Sequence, residues 1–453
     1  MAPATISARL AAHVAGTAWA DLPSAAVAAA RRMALDTLAV AWAGTSAPGI
    51  PQVRAEIVEE GGQPQASVWA AGAKVPARSA AFLNSAAAAA LDFDGVRATE
   101  RGSVHADSVV LPAALAVAER CGATGRELAA ALVLGNDVVT RIGAASSLPH
   151  KGWYHTAIYG IMGAAAAAAR LLKLDADQTM HAFGIAVNQA CATQLPNIER
   201  SLVKRYSSAF AAQAGVLSAQ LAARGITAAR EAFEGRFGFY DLYQPGEPAL
   251  LFDGLGAHYP HVETGIKRFP SCACNHTAIE AALRLAREGP VDTAGLAVEV
   301  TISPYVDRLV GAPFDPSTDP QVAAQFSVQY SVAAALMRGR FGVADIEPQA
   351  VLDPAVGRFA RAIGVRVDPA WGNRRAATVA LRASDGSRRE RHVEHIPGSP
   401  ESPLDDADLA AKALDCLQAG ARPLAPAQAR KLMERVARLD ELADARELLA
   451  GLA

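Results

Sequence analysis

The chain is predicted to be mainly α, with a large all-helical domain carrying an inserted, smaller α/β domain. Three observations lead there. Ala-rich runs with apolar residues at helical spacing dominate the first 265 residues, period-two alternation appears after them, and helical periodicity resumes beyond Pro397-Gly398-Ser399-Pro400. The expected division is 1–265 for the first part of the helical domain, 266–397 for the α/β domain and 398–453 for the C-terminal part of the helical domain.

Taken in order, Ser24 is placed to cap a helix in which Val27, Ala30, Ala34, Leu38 and Ala41 recur on one face, ending at Gly44. Pro76 opens a second helix, predicted over Ala77 to Phe93, whose apolar face is mostly alanine. Small side chains let helix axes approach closely, so a compact bundle follows. Further helical runs extend over Ser108–Arg120, Thr156–Leu172, Ser207–Arg224 and Asn275–Arg287. Strands are expected where Leu296, Val298, Val300 and Ile302 alternate with polar residues, and again around Val379 and Leu381. Asp385-Gly386 followed by Arg391–Ile396 reads as a hairpin, because Asp-Gly suits the turn that matches strand twist. Helices return over Asp405–Cys416 and from Pro426 to the end.

Composition narrows the function. With 453 residues, 51% hydrophobic and 19% charged, the chain can bury a sizeable core, and two domains are the default at this length. Lys plus Arg number 43 against 45 Asp plus Glu, a net charge of −2, so no overall field draws it to nucleic acid or an anionic membrane. The N-terminal residues lack the pattern of a secretory signal, and no stretch near 20 strongly apolar residues stands out, so no membrane span and a cytoplasmic protein are expected. Five cysteines without framework spacing point to reduced thiols. Only Cys272-Ala273-Cys274 with His276 resembles metal ligands, and no partner pair with ligand spacing completes it. No metal and no cofactor are expected.

Four segments place a His or Lys just ahead of a helical run: His105, His155, Lys204 and Lys267, the last followed by Arg268. A helix N-terminus offers N–H groups and the positive end of a dipole, which suits an anion. Gathered by folding, these ends would hold a small di- or tricarboxylate with imidazoles at hand for proton transfer.

The run Leu91-Asp92-Phe93-Asp94, then Ser103-Val104-His105, Leu111-Pro112-Ala113-Ala114-Leu115, Tyr154-His155, Lys204, Lys267-Arg268-Phe269-Pro270-Ser271-Cys272 and Gly398-Ser399-Pro400 resembles the MmgE/PrpD family in order and spacing along nearly the whole chain. That family includes 2-methylcitrate dehydratases, cis-aconitate decarboxylases and an iminodisuccinate epimerase. The resemblance implies a helical domain plus a lid, a homodimer, cofactor-independent chemistry on polycarboxylates, and a site in the cleft between the domains. Its decarboxylase branch places Asp92, His105, His155, Lys204, Lys267 and Tyr305 at that site. Departures from that branch stand out: Gly95-Val96 where Asp and Thr continue the run, Ala106 where Pro follows the first His, and Cys272 where the branch has His.

Removing a proton α to a carboxylate builds charge that fixed cations must meet, and Lys204, Lys267 and Arg268 are the candidates. His105 and His155 are candidate acid and base. Asp92 is expected to hold or tune a His, Arg97 to add to substrate binding, Cys272 to form pocket wall, and Tyr305 to offer a hydroxyl at the end of a strand. These readings predict a hydro-lyase of the 2-methylcitrate dehydratase kind, with an epimerase of a dicarboxylate such as iminodisuccinate, a decarboxylase, and a non-catalytic carboxylate-binding dimer as alternatives.

Overall fold

The structure is a computed structural model that describes residues 5–99, 101–199 and 201–452. The chain forms two compact units. The first takes the chain up to Ala90, Asp94–Gly265 and everything from Lys412; the second takes Leu91–Phe93 and Ile266–Ala411.

In the first unit, α1 (Ile6–Gly16), α2 (Ser24–Gly44) and α3 (Ile50–Glu60) precede a small hairpin of β1 (Ala66–Val68) and β2 (Ala73–Val75). Then come α4 (Ala77–Ala89), a second hairpin of β3 (Arg97–Thr99) and β4 (Gly102–Val104), α5 (Asp107–Cys121), α6 (Gly125–Ala145), α7 (His155–Leu171) and α8 (Ala176–Val187). The short α9 (Leu195–Ile198), α10 (Tyr206–Ala222) and the short α11 (Phe239–Leu242) follow. The bundle centres on α7, which packs on α5, α6 and α10 and whose stretch Ala164–Ala169 is wholly buried.

Alanine alone does not explain how close α6 and α7 come. A Cβ on Gly163 would lie 2.7 Å from the Gly135 carbonyl oxygen, and a Cβ on Gly135 would lie 2.9 Å from the Gly163 oxygen. Backbone therefore meets backbone, and neither position has room for a side chain. The helix α6 is also long and apolar enough to cross a membrane, contrary to the sequence reading that no such stretch exists. It is instead a core helix, 89% of its most apolar window being buried in the bundle.

Inside that helix Asp137 and Arg141 form a buried ion pair at 2.8 Å, with His13 Nε2 3.0 Å from the same carboxylate oxygen. The Arg141 guanidinium, 1% exposed, donates to the carbonyls of Leu251 and Asp253 at 3.1 and 2.8 Å, and also to His258 O. One charged side chain thus satisfies a loop whose own backbone is not in regular structure.

In the second unit, α12 (His276–Arg287) and β5 (Ala297–Ile302) lead to α13 (Pro304–Val310), α14 (Pro320–Gln325), α15 (Val328–Arg338), α16 (Pro348–Val351) and α17 (Pro354–Ala362). The strands β6 (Gly364–Val367), β7 (Ala377–Arg382) and β8 (Arg388–Val393) complete it. One four-stranded sheet results, ordered β6-β5-β7-β8, with β5 parallel to β6 and antiparallel to β7. The hairpin β7–β8 pairs Ala377 with Val393 and Arg382 with Arg388, so the Asp385-Gly386 turn is where the dipeptide predicts, while the returning strand starts three residues earlier than Arg391. Helix α12 covers β7 and β8 and packs on α15. Finally α18 (Asp406–Leu417) returns to the first unit and α19 (Pro426–Ala437) packs on α2.

Local departures have local causes. Ser24 is the first helical residue, and Pro23, preset to the right φ, holds the cap position without a side-chain bond. After α19 the expected terminal helix breaks into 3-10 turns at Leu439–Glu441 and Ala445–Leu449, because the Asp444 carboxylate caps a fresh start by accepting from Arg446 N at 2.8 Å.

Candidate active site

The helix α4 stops at Ala89, short of the predicted Phe93, and this early stop shapes the site. Asp92 follows at φ 51°, a left-handed conformation that Asp tolerates better than most residues and that costs about 1 kcal/mol or more. Held this way, Asp92 faces Lys267: Nζ donates to the Asp92 carbonyl at 2.6 Å and lies 3.1 Å from its carboxylate, both residues being buried. The neighbouring Leu91 carbonyl accepts from Gln325 Nε2 at 2.6 Å. The Gln325 carbonyl in turn receives Cys272 N, Ser271 Oγ and Asn275 Nδ2 at 3.0 to 3.1 Å. Leu91–Phe93 is stitched by these bonds to the segment that carries Lys267 and Cys272, which is why it belongs to the second unit.

Where an imidazole was the expected partner, Asp92 holds the Lys267 ammonium. The carboxylate beside an imidazole is Asp94, whose Oδ2 lies 3.2 Å from His105 Nδ1 in the first unit. The two approach closely without the alignment of a hydrogen bond. His105 N donates to Thr156 Oγ1 at 3.1 Å, tying it to the residue after His155.

His155 is the first residue of α7 and not a group ahead of it. Its ring stacks on Tyr159 at 5.0 Å and meets the edge of His150 at 4.1 Å. Burial, reinforced by the nearby His150, pushes its pKa down to about 4, so it is a neutral imidazole at pH 7. The hairpin β3–β4 passes over these rings at Gly102, where φ is +131° and a Cβ would lie 3.1 Å from His155 Nδ1. Conformation and space both demand glycine there. Beside His155 is a recess of about 10 Å³, room for about one water, lined by Arg97, Arg101, Gly102, Thr140 and Tyr159 among others.

Behind His105, Asp107 opens α5 with a carboxyl that accepts from Asn136 Nδ2 at 2.6 Å. Burial, with Asp36 and Asp94 adding repulsion, raises its pKa to about 7. A helix start that already holds a carboxyl group is not the open anion site the sequence suggested. Because the folded pKa exceeds the unfolded one, this group stabilises fully below about pH 4 and its contribution is lost as pH rises through 7. Asp107→Asn should remove that slope, gaining on wild type by up to roughly 4 kcal/mol by pH 8. Thermal melts of both proteins between pH 4 and 8 check it, and parallel curves would contradict it.

The other cations are more committed than expected. Lys204 sits half-buried in the 3-10 turn Leu202–Arg205 that runs into α10. Arg97, expected to bind substrate, pairs with Glu263 at 2.7 Å, and Arg268 forks onto Asp408 at 2.9 and 3.3 Å. Both are ion-paired within this chain. Interaction with the Cys274 thiol lowers the Cys272 pKa against the opposing effect of burial and raises that of Cys274. Tyr305 lies in the first turn of α13 with the guanidinium carbons of Arg375 and Arg308 5.6 and 5.8 Å from its ring centre. Among the described residues, no three His, Cys, Asp or Glu converge as a metal-binding group.

Asp94 could have been singled out by its alternation with Asp92. Gln325 and Arg375 carry no local signal, and His150, which no motif marks, is brought to His155 only by the loop before α7.

The MmgE/PrpD N-terminal domain matches residues 8–250 and the MmgE/PrpD C-terminal domain residues 269–439. A cis-aconitate decarboxylase of Aspergillus terreus is 29% identical over 339 residues, 70% of this chain and 69% of that protein. A cis-aconitate decarboxylase-like protein of Aspergillus oryzae is 28% identical over 360 residues, 74% of each chain. The cis-aconitate decarboxylase of Mus musculus is 24% identical over 396 residues, 84% of this chain and 80% of that one. With both family domains matched in order over most of its length, the chain belongs to the lyase-type MmgE/PrpD family.

Proposed function

We propose that the protein is a lyase acting on a small polycarboxylate by abstraction of a proton α to a carboxylate, and that its reaction is the dehydration of a hydroxy-tricarboxylate such as 2-methylcitrate. The observation that carries this reading is the pair of contacts set by alternate residues of one run, Asp94 beside the His105 imidazole and Asp92 paired with the Lys267 ammonium. His105, held by Asp94, is the base for the carbon-bound proton. The ammonium groups of Lys267 and Lys204 meet the charge that develops on the carboxylate. His155, kept neutral, donates a hydrogen bond to the departing hydroxyl, which leaves as hydroxide and becomes water with the proton that His105 took from carbon and then gives up.

A further observation favours dehydration over decarboxylation. At Gly95, where the decarboxylase pattern has Asp, a Cβ would approach the Gly265 oxygen to 3.2 Å and the Met33 Cε to 2.2 Å, so this chain packs against a side chain there. Decarboxylation of an unsaturated tricarboxylate is the second reading, favoured by the names of the relatives above.

Proton NMR in D₂O with 2-methylcitrate, citrate, cis-aconitate and aspartate-derived dicarboxylates distinguishes them. Dehydration should yield the alkene, with solvent deuterium entering the α position on reversal. Release of CO₂ from cis-aconitate would select the second reading, and neither exchange nor product with any of these acids would refute α-proton chemistry.

A further inference from the structure

We propose that Arg375 binds a carboxylate of the substrate, a role that rests on the polycarboxylate reading above and that assigns a specificity-determining residue to the second unit. Arg375 immediately precedes β7, and its backbone is pinned on two sides. Its carbonyl accepts from Thr277 Oγ1 at 2.8 Å, on the helix that follows the Cys272–Cys274 turn. The carbonyl of Arg374 accepts from Ser303 Oγ at 2.6 Å, and the same Ser303 caps α13, the helix of Tyr305. Arg375 is thus fixed between two groups that the sequence offered separately, Lys267 with Cys272 and Tyr305.

Its side chain reaches toward both. The guanidinium carbon is 5.6 Å from the Tyr305 ring centre, a cation–π distance, and its charge acts on Cys274 together with that of Lys267. What sets Arg375 apart is the state of its charge. Arg97, Arg268 and Arg374 each hold a carboxylate of this chain, Glu263, Asp408 and Glu394, and Lys267 shares Asp92. Among the described residues no carboxylate stands within ion-pair distance of Arg375; Glu401, held by Ser399 Oγ at 2.6 Å, acts on it only at longer range. Arg308, the other guanidinium at Tyr305, is exposed, whereas Arg375 is half-buried and so sheds less water on taking a ligand. A planar fork of donors on a pinned backbone matches a carboxylate in a way a lysine cannot.

The test is calorimetric binding of tricarballylate, with three carboxylates, and glutarate, with two, to wild type, Arg375→Ala, Arg375→Lys and the control Arg308→Ala. Arg375→Ala should weaken tricarballylate by about tenfold or more and shrink its advantage over glutarate, Arg375→Lys should recover part, and Arg308→Ala should behave as wild type. Circular dichroism and melting temperature confirm folding, and the Lys variant, keeping the charge without the fork, stands in should the Ala variant fail to fold. Tricarballylate affinity unchanged in the Arg375 variants, with wild type binding, overturns the role of Arg375 alone. Wild type binding neither acid overturns the polycarboxylate reading and this inference with it.

Discussion

Lys267→Ala should lower kcat/KM on the acid identified by NMR by about 10³-fold and also lower the melting temperature. The catalytic loss follows if Lys267 meets charge in the transition state, since removing one such donor from a preorganised site typically costs 10²- to 10³-fold or about 3–4 kcal/mol. The stability loss has a separate origin. Asp92 is 8% exposed and already in a left-handed conformation, so deleting its ammonium partner leaves a buried carboxylate without that charge, a change of about 3–5 kcal/mol. The double variant Lys267→Ala/Asp92→Asn separates the two effects: the melting temperature should recover substantially while turnover does not. A Lys267→Ala protein with wild-type turnover would remove Lys267 from the chemistry.

Arg141→Met carries the largest expected effect on the first unit, about 3–5 kcal/mol. The substitution keeps much of the apolar stem but deletes every donor to Leu251, Asp253 and His258 and strips Asp137 of its guanidinium at a position with no exposure. Denaturant melts should show the first transition at a lower midpoint, and limited proteolysis should cut within 251–258 before elsewhere. A change under about 1 kcal/mol would mean that this loop draws little of its order from Arg141.

What was legible in the sequence is what periodicity and turn chemistry encode locally. The helices around Ala30, Val109 and Ala165 and the β7–β8 hairpin came from spacing that a 3.6- or two-residue repeat must show. The end of α4 was not legible, because apolar alanines continue to Leu91 and only the hydrogen bonds from Gln325 and Lys267 pull the chain out of the helix. The same long-range bonds decided the partners of the site residues. His105 and Lys267 were identifiable as chemistry-bearing groups, but that Asp94 would face the imidazole and Asp92 the ammonium depends on a backbone turn two residues wide. Arg97 and Arg268 looked like available cations because their partners, Glu263 and Asp408, lie well over a hundred residues away along the chain.

The contact between Gly135 and Gly163 has an evolutionary consequence. Each carbonyl oxygen occupies the volume that a methyl on the other would need, so substituting either one alone displaces main chain and not a pliant side chain. The two positions should accordingly be inherited as a unit: a lineage can leave this pair of glycines only by sliding one helix along its axis, and in a saturation library both columns should stay empty.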